Sequence, residues 1–193
     1  MTRLAVFIDQ ANMWSTYKTA GKNIDMESLL SFLSDKYAWD IVLKVIYLAY
    51  PETDTRSYNV DGIHKYATFL KKWLGFLVRK KPLKRILLKD SSWQPLKDID
   101  GKNIYQEKGN IDIELAIDVV SKNMEFDVMI LLSGDSDFMP LVNFLRARWK
   151  KTYIFSSEWH ISKELRTGTD GYTDLLTIEH IWWTELKTRN KKP

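Results

Sequence analysis

Four aspartates stand where a carboxylate can do chemistry. Asp9 closes the apolar run "LAVFID", with Asn12 three residues on; Asp112 opens the pattern "IDIELAID"; Asp135 and Asp137 follow the apolar run "DVMILLSG" in the stretch "SGDSDF". Three or four carboxylates brought together are not stable alone, since at about 4 Å and an effective dielectric of about 20 each like-charged pair costs roughly 4 kcal/mol. Such a group persists by protonating or by binding a cation. The chain has no cysteine, and His64, His160 and His180 lie outside these clusters, so a cation held there meets hard oxygen ligands. That donor set selects Mg²⁺ or Mn²⁺ over zinc. Each aspartate also has a plainer reading. Asp9 can form a turn after a strand, and Asp112, Asp135 or Asp137 can cap a helix or sit in its first turn. A cap needs one side chain, so the second acid of "GDSD" is surplus to capping.

The elements that must position these residues alternate in kind. "LAVFID", "IVLKVIYLAY", "DVMILLSG" and "KTYIFS" are short apolar runs with the character of buried parallel strands. Between them lie helical patterns: "DMESLLSFLSDKYA" with Asp25 as N-cap, residues 57–75 ending at Gly75, residues 111–123, and residues 138–148. A short helix is expected at "SKELRT" and a C-terminal helix at "TIEHIWWTELKTRN". "FLVRKK", "RILLKD" and "NIYQE" read as short strands, with "DIDGKN" as a turn. Strands alternating with helices predict an α/β fold with a mainly parallel central sheet, and no linker or repeat divides residues 1–193, which are expected to form one domain. Parallel strands put their carboxyl ends on one edge, where ligands bind at the switch in strand order. Asp9, Asp135 and Asp137 are therefore expected to converge there, and a helix starting on that edge adds Asp112.

The net charge is +4, and the cations are concentrated in "KKWLGFLVRKKPLKRILLK" (residues 71–89) and "RARWKK" (residues 146–151). Basic surroundings about an acidic focus suit a polyanion held near a cation-binding centre, although any one such run is also an ordinary solvated face. No apolar run approaches the roughly 20 residues of a membrane span, and a cytoplasmic location is the expectation.

"FIDQAN", "KGNIDIELAID" and "LLSGDSDFMPLVNFLR", in this order and spacing, resemble the three motifs of NYN domains, of the LabA-like branch within the PIN-like nuclease superfamily. "SKELRTGTDGYTDL" resembles the closing segment of that family. The resemblance implies a Rossmann-like three-layer sandwich, one or two Mg²⁺ or Mn²⁺ ions bound by aspartates, and RNA cleavage. Carried over by motif, Asp9, Asp112, Asp135 and Asp137 form the metal and catalytic site, with Asn12 as a supporting polar group. Asp118 also matches a recurring aspartate, but six residues beyond Asp112 it lies about 240° round the helix from it.

The function expected from these residues is metal-dependent hydrolysis of RNA, endonucleolytic, on single-stranded or structured substrate. Lys108 is the candidate phosphate contact nearest the site. Lys80, Lys81, Lys84, Arg85, Arg148, Lys150 and Lys151 are candidates to follow the backbone, and Trp14 and Trp93 are candidate stacking platforms. Two alternatives stand beside it: a non-catalytic module that binds RNA or protein, and a metal-dependent DNA nuclease. "HIWWTEL" either packs as core or supplies a homodimer patch.

Overall fold

A computed structural model describes residues 2–51, 60–109 and 111–185. In chain order the elements are β1 Arg3–Asp9, α1 Gln10–Ala20, β2 Lys22–Ile24, α2 Met26–Tyr37, β3 Asp40–Tyr50, α3 Val60–Trp73, β4 Leu77–Pro82, β5 Lys84–Leu87, β6 Tyr105–Lys108, α4 Asp112–Lys122, β7 Val128–Leu132, α5 Met139–Arg146, β8 Lys151–Ser156, α6 Lys163–Gly168, β9 Gly171–Asp174 and β10 Trp182–Glu185. Six strands form the central sheet in the order β4-β3-β1-β7-β8-β9, and every neighbouring pair is parallel.

The period of two along each strand divides the core. Leu4, Val6 and Ile8 of β1 enter one cluster with residues of α1, α2 and α3. Ala5 and Phe7 enter the other with residues of α4, α5 and α6. Helices therefore cover both faces, which is why the strands are apolar throughout rather than alternating. The result is the α/β, Rossmann-like three-layer sandwich with a parallel sheet that the sequence suggests.

Counted among the sheet strands alone, the order is 3-2-1-4-5-6, the doubly wound order of nucleotide-binding sheets. The chain winds outward from β1 to β3 and β4, then returns to β7 on the other side of β1. The switch point thus lies between the carboxyl ends of β1 and β7.

Helix α4 is tied to the sheet by charge as well as by apolar packing. Asp118 accepts from Arg79 Nε and Nη2, both at 2.8 Å, and from the Tyr47 hydroxyl at 2.9 Å. Lys81 of β4 pairs with Glu114 at 2.5 Å. The Arg79 guanidinium, followed by the Tyr47 hydroxyl, holds the Asp118 carboxyl below its ordinary range.

One expectation is corrected. The C-terminal helix is absent from the described residues: "LLT" and "EHI" form short 3₁₀ turns and Trp182 begins β10, antiparallel to β2. Ile181 is fully buried and Trp182 packs on the first core cluster, with its indole N–H donating to the Leu175 carbonyl at 3.3 Å. Of "HIWWTEL", Ile181 and Trp182 therefore pack as core, while His180 is exposed. The expected helix over residues 57–75 is α3, and its first three positions lie outside the described residues.

Asp118→Ala strips the buried Tyr47 hydroxyl of its acceptor and cuts one tie of α4 to β4. Urea unfolding is expected to show a loss of about 1–3 kcal/mol. An unchanged midpoint would mean that the packing of α4 does not depend on this pair.

Candidate active site

β1 ends on Asp9, whose side chain is 3% exposed. Its extended backbone makes it the N-cap of α1: Oδ1 accepts from the amides of Ala11 at 3.1 Å and Asn12 at 3.2 Å. Oδ2 accepts from the Ser133 hydroxyl at 3.1 Å, just past the end of β7. The Ser133 oxygen in turn accepts from the Asp135 amide at 3.3 Å. Asn12, on the first turn of α1, receives the Gly134 amide on Oδ1 at 2.8 Å. The ends of β1 and β7 are thus knitted across the switch point by Asp9, Asn12 and Ser133.

Gly134 is fixed by crowding. A Cβ there would lie 1.9 Å from the His160 carbonyl oxygen, and the Gly134 carbonyl accepts from the Ser162 amide at 2.8 Å. The loop after β7 therefore packs directly against the loop after β8. Thr16, one turn beyond Asn12, donates to Ser157 at 3.2 Å, and Ser157 lies 2.6 Å from His160 Nδ1. Buried Ser133, Thr16 and Ser157 are structural members of this edge that the motifs did not single out. Ser133 had one signal, a polar residue ending an otherwise apolar strand.

Asp112 is the first residue of α4, and Ile111 before it makes no capping bond with a side chain. Because α4 runs back to the start of β7, its N-terminus lies on the carboxyl edge of the sheet, where Asp112 acts electrostatically on Asp9. Burial pushes the Asp9 carboxyl up and the Asp112 charge pushes it further, while the Asn12 and Ala11 amides and the Ser133 hydroxyl pull it back. The outcome is about 6 against an ordinary 3.8. The plainer reading holds for Asp135, which caps the 3₁₀ turn Ser136–Phe138 by accepting the Asp137 amide at 3.0 Å. Asp137 is exposed in that turn.

Asp9 and Asp112 therefore interact, Asp135 adjoins them through Ser133, and Asp137 stands at the rim. Among the described residues no three His, Asp or Glu side chains stand close enough to chelate one ion by themselves. Mg²⁺ is commonly held by one or two carboxylates with waters and substrate phosphates, so an interacting acid pair with oxygen donors fits such an ion.

The remaining candidates separate by position. Asp118 belongs to the Arg79–Tyr47 tie and not to this edge. Arg148, Lys150 and Lys151 lie at the opposite edge, because the end of α5 leads into the start of β8. There Arg148 stacks on Phe144, Lys150 donates to the Phe126 carbonyl at 2.6 Å, and Lys151 pairs with Asp170 at 3.3 Å. Lys80 lies 3.3 Å from His64 Nδ1 and Lys81 is paired with Glu114. Lys84 and Arg85 begin β5, on the carboxyl side of β4. Of Lys108 the structure describes the backbone, which pairs with Lys84; its side chain lies outside the described groups. Trp14 is half-exposed on α1 beside the site, with Lys18 over its ring.

The profile of the NYN domain matches residues 3–176. The chain belongs to the NYN domain family. It therefore carries a PIN-like nuclease scaffold. Across 177 residues it is 29% identical to the low amplitude and bright protein LabA of Synechococcus elongatus, covering 92% of this chain and 86% of that one. A crystal structure of a Vibrio parahaemolyticus protein of unknown function superposes with a TM-score of 0.65 at 20% identity, over 90% of this chain and 93% of that one. At that identity the likeness is one of fold. Among the described residues no helix is long and apolar enough to cross a membrane.

A carboxyl raised in the folded state favours unfolding once ionised. The unfolded chain ionises Asp9 from about pH 4 and the NYN fold only near 6, so metal-free stability is expected to fall by on the order of 3 kcal/mol between these values and level off above. Asp9→Asn keeps an acceptor for Ala11 and Asn12 and is expected to abolish that slope. Thermal unfolding across pH measures it, and an identical slope in the variant would remove Asp9 as its cause.

Proposed function

We propose that this NYN domain is a metal-dependent endoribonuclease that hydrolyses phosphodiester bonds in single-stranded or structured RNA. The observation that supports this reading is the buried Asp9 carboxylate, under the charge of Asp112, at the switch point of a doubly wound sheet. Two like charges there raise each other's energy, and a divalent cation with a phosphate is the partner that relieves both.

Asp9 and Asp112 would hold Mg²⁺ or Mn²⁺, with Asp135 and Asp137 completing the acidic rim. When bound, the ion lowers the pKa of a ligated water and offsets charge on the reacting phosphate. Ser133 orients the Asp9 carboxylate through Oδ2, and the Ala11 and Asn12 amides fix Oδ1, so the acid meets the ion in one orientation. Asn12 holds the Gly134 amide and with it the loop that presents Asp135. Lys84 and Arg85 stand on the side of the site where a phosphate backbone would enter. The preference for RNA over DNA follows the family rather than a contact to a 2′-hydroxyl, and a cytoplasmic setting follows the expectation from composition.

A second reading, a binding module without turnover, is favoured by one observation: the described acids do not form a three-membered chelating group. The assay separates the two. Purified chain is expected to cleave single-stranded RNA with Mg²⁺ or Mn²⁺, to stop in EDTA, and to lose at least about 100-fold in rate in Asp112→Asn and Asp135→Asn while both variants remain folded. Cleavage of DNA alone would reassign the substrate. No cleavage with either metal, and no shift in melting temperature on metal addition, would select the binding module.

A further inference from the structure

The segment between β4 and α4 forms an arm outside the central sheet. β5 and β6 pair antiparallel, with Arg85 opposite Glu107 and Leu87 opposite Tyr105. Beyond them the Leu88 amide donates to the Ile104 carbonyl at 3.0 Å, and a middle segment doubles back, with the Leu96 amide on the Leu88 carbonyl at 2.9 Å. Two aspartates close the turns: Asp90 accepts from the amides of Ser92 and Gln94, and Asp98 from those of Asp100 and Lys102. The arm is thus an ordered ribbon with its own hydrogen-bond ladder.

By the period of two, Arg85, Lys89 and Tyr105 fall on one face of this ribbon. The Arg85 guanidinium lies 4.3 Å from the Tyr105 ring centre, and the Lys89 ammonium 5.2 Å from that of Trp93. Trp93 is 77% exposed and Tyr105 43%. Rings that served only to fold the arm would be buried; here each stands in water with a cation beside it. The same face continues through Glu107 and Leu83 into a cavity of about 340 Å³ that Trp14 and Tyr66 also line. Gln10 and Gly109 also line it, the first next to Asp9 in the chain and the second three residues before Asp112.

We propose that this face and the cavity at its root form a track for unpaired nucleotides. A single strand would lie along the ribbon with bases stacked on Trp93 and Tyr105 and phosphates beside Lys89 and Arg85. One base would enter the cavity against Trp14, bringing the adjoining phosphate to Asp9 and Asp112. Residues 84–89 span about 20 Å at roughly 3.3 Å each, enough for a few nucleotides. Stacking on an exposed ring requires a free base face, which a duplex does not offer. The assignment of single-stranded substrate rests on the nuclease reading of the same edge.

The test uses the full chain as Asp135→Asn, a short fluorescein-labelled oligouridine, and an RNA duplex of equal length. Adding Trp93→Ala with Tyr105→Ala is expected to weaken single-strand binding by about tenfold or more without changing its salt dependence. Arg85→Ala with Lys89→Ala is expected to lower the slope of log affinity against log salt by about 1.4, for two phosphates. These residues are exposed, so melting temperatures serve as the folding control. Unchanged single-strand affinity in the aromatic variant, or equal binding of the duplex, overturns the track; a surface for a protein partner gives the former result. The aromatic pair is then replaced in a chain that keeps Asp135. Wild-type cleavage there overturns the track and leaves the Asp9–Asp112 site standing. An inactive wild type whose single-strand binding still depends on Trp93 and Tyr105 ends the nuclease reading and keeps the track.

Discussion

Asp9 is a carboxylate with almost no access to water, placed where the winding of the sheet reverses. Burial alone favours its neutral form, and the fold answers with three hydrogen bonds aimed at its two oxygens. The donors come from both sides of the switch point, two amides from the first turn of α1 and one hydroxyl from the end of β7. The acid therefore joins the two halves of the sheet while remaining under electrostatic pressure from Asp112. Gly134 follows from the same constraint. The β7 loop must pass close enough for Ser133 to reach Asp9 and for its amide to reach Asn12, and at that distance the β8 loop leaves no room for a Cβ.

The second acid arrives by a different route, on the first turn of α4. That helix is held from below by apolar packing and from the side by Asp118 and Glu114 on Arg79 and Lys81. Asp118 therefore influences the site through the placement of α4 rather than through contact with substrate. The arm is inserted between β4 and α4, so its root lies against the entry to this helix and its outer face leads toward the acids. With little buried surface of its own, the arm belongs to the lower-stability part of the structure, the part free to adjust to a strand without disturbing the sheet.

Much of this was legible in the residues. Apolar strands separated by helical stripes carry the parallel sheet, and strand polarity brings Asp9 and the "SGDSD" loop to one edge with Asp112 beside them. Position on the edge is what periodicity conveys; side-chain reach is not. Asp135 spends one oxygen on its own turn and Asp137 faces solvent, which spacing alone does not distinguish from four converged acids. "RARWKK" shows the same limit. Its charge composition resembles a phosphate-binding run, yet the end of a helix that precedes a parallel strand lies at the opposite edge, where Lys150 and Lys151 are occupied by the Phe126 carbonyl and Asp170. β2, β9 and β10 are not legible in the sequence, because strands of three and four residues carry too few positions to show a period. "IWWTE" has the pattern of a helix, yet Trp182 pairs with Ile24 of β2.

The proposed cation site joins Asp9 and Asp112 at the switch point. Crystals soaked in Mn²⁺ and measured at the manganese absorption edge test it most directly. An anomalous peak is expected in ligating contact with both carboxylates, lost in Asp9→Asn with the surrounding loops unmoved. A peak elsewhere on the surface, or none at millimolar Mn²⁺, would contradict it.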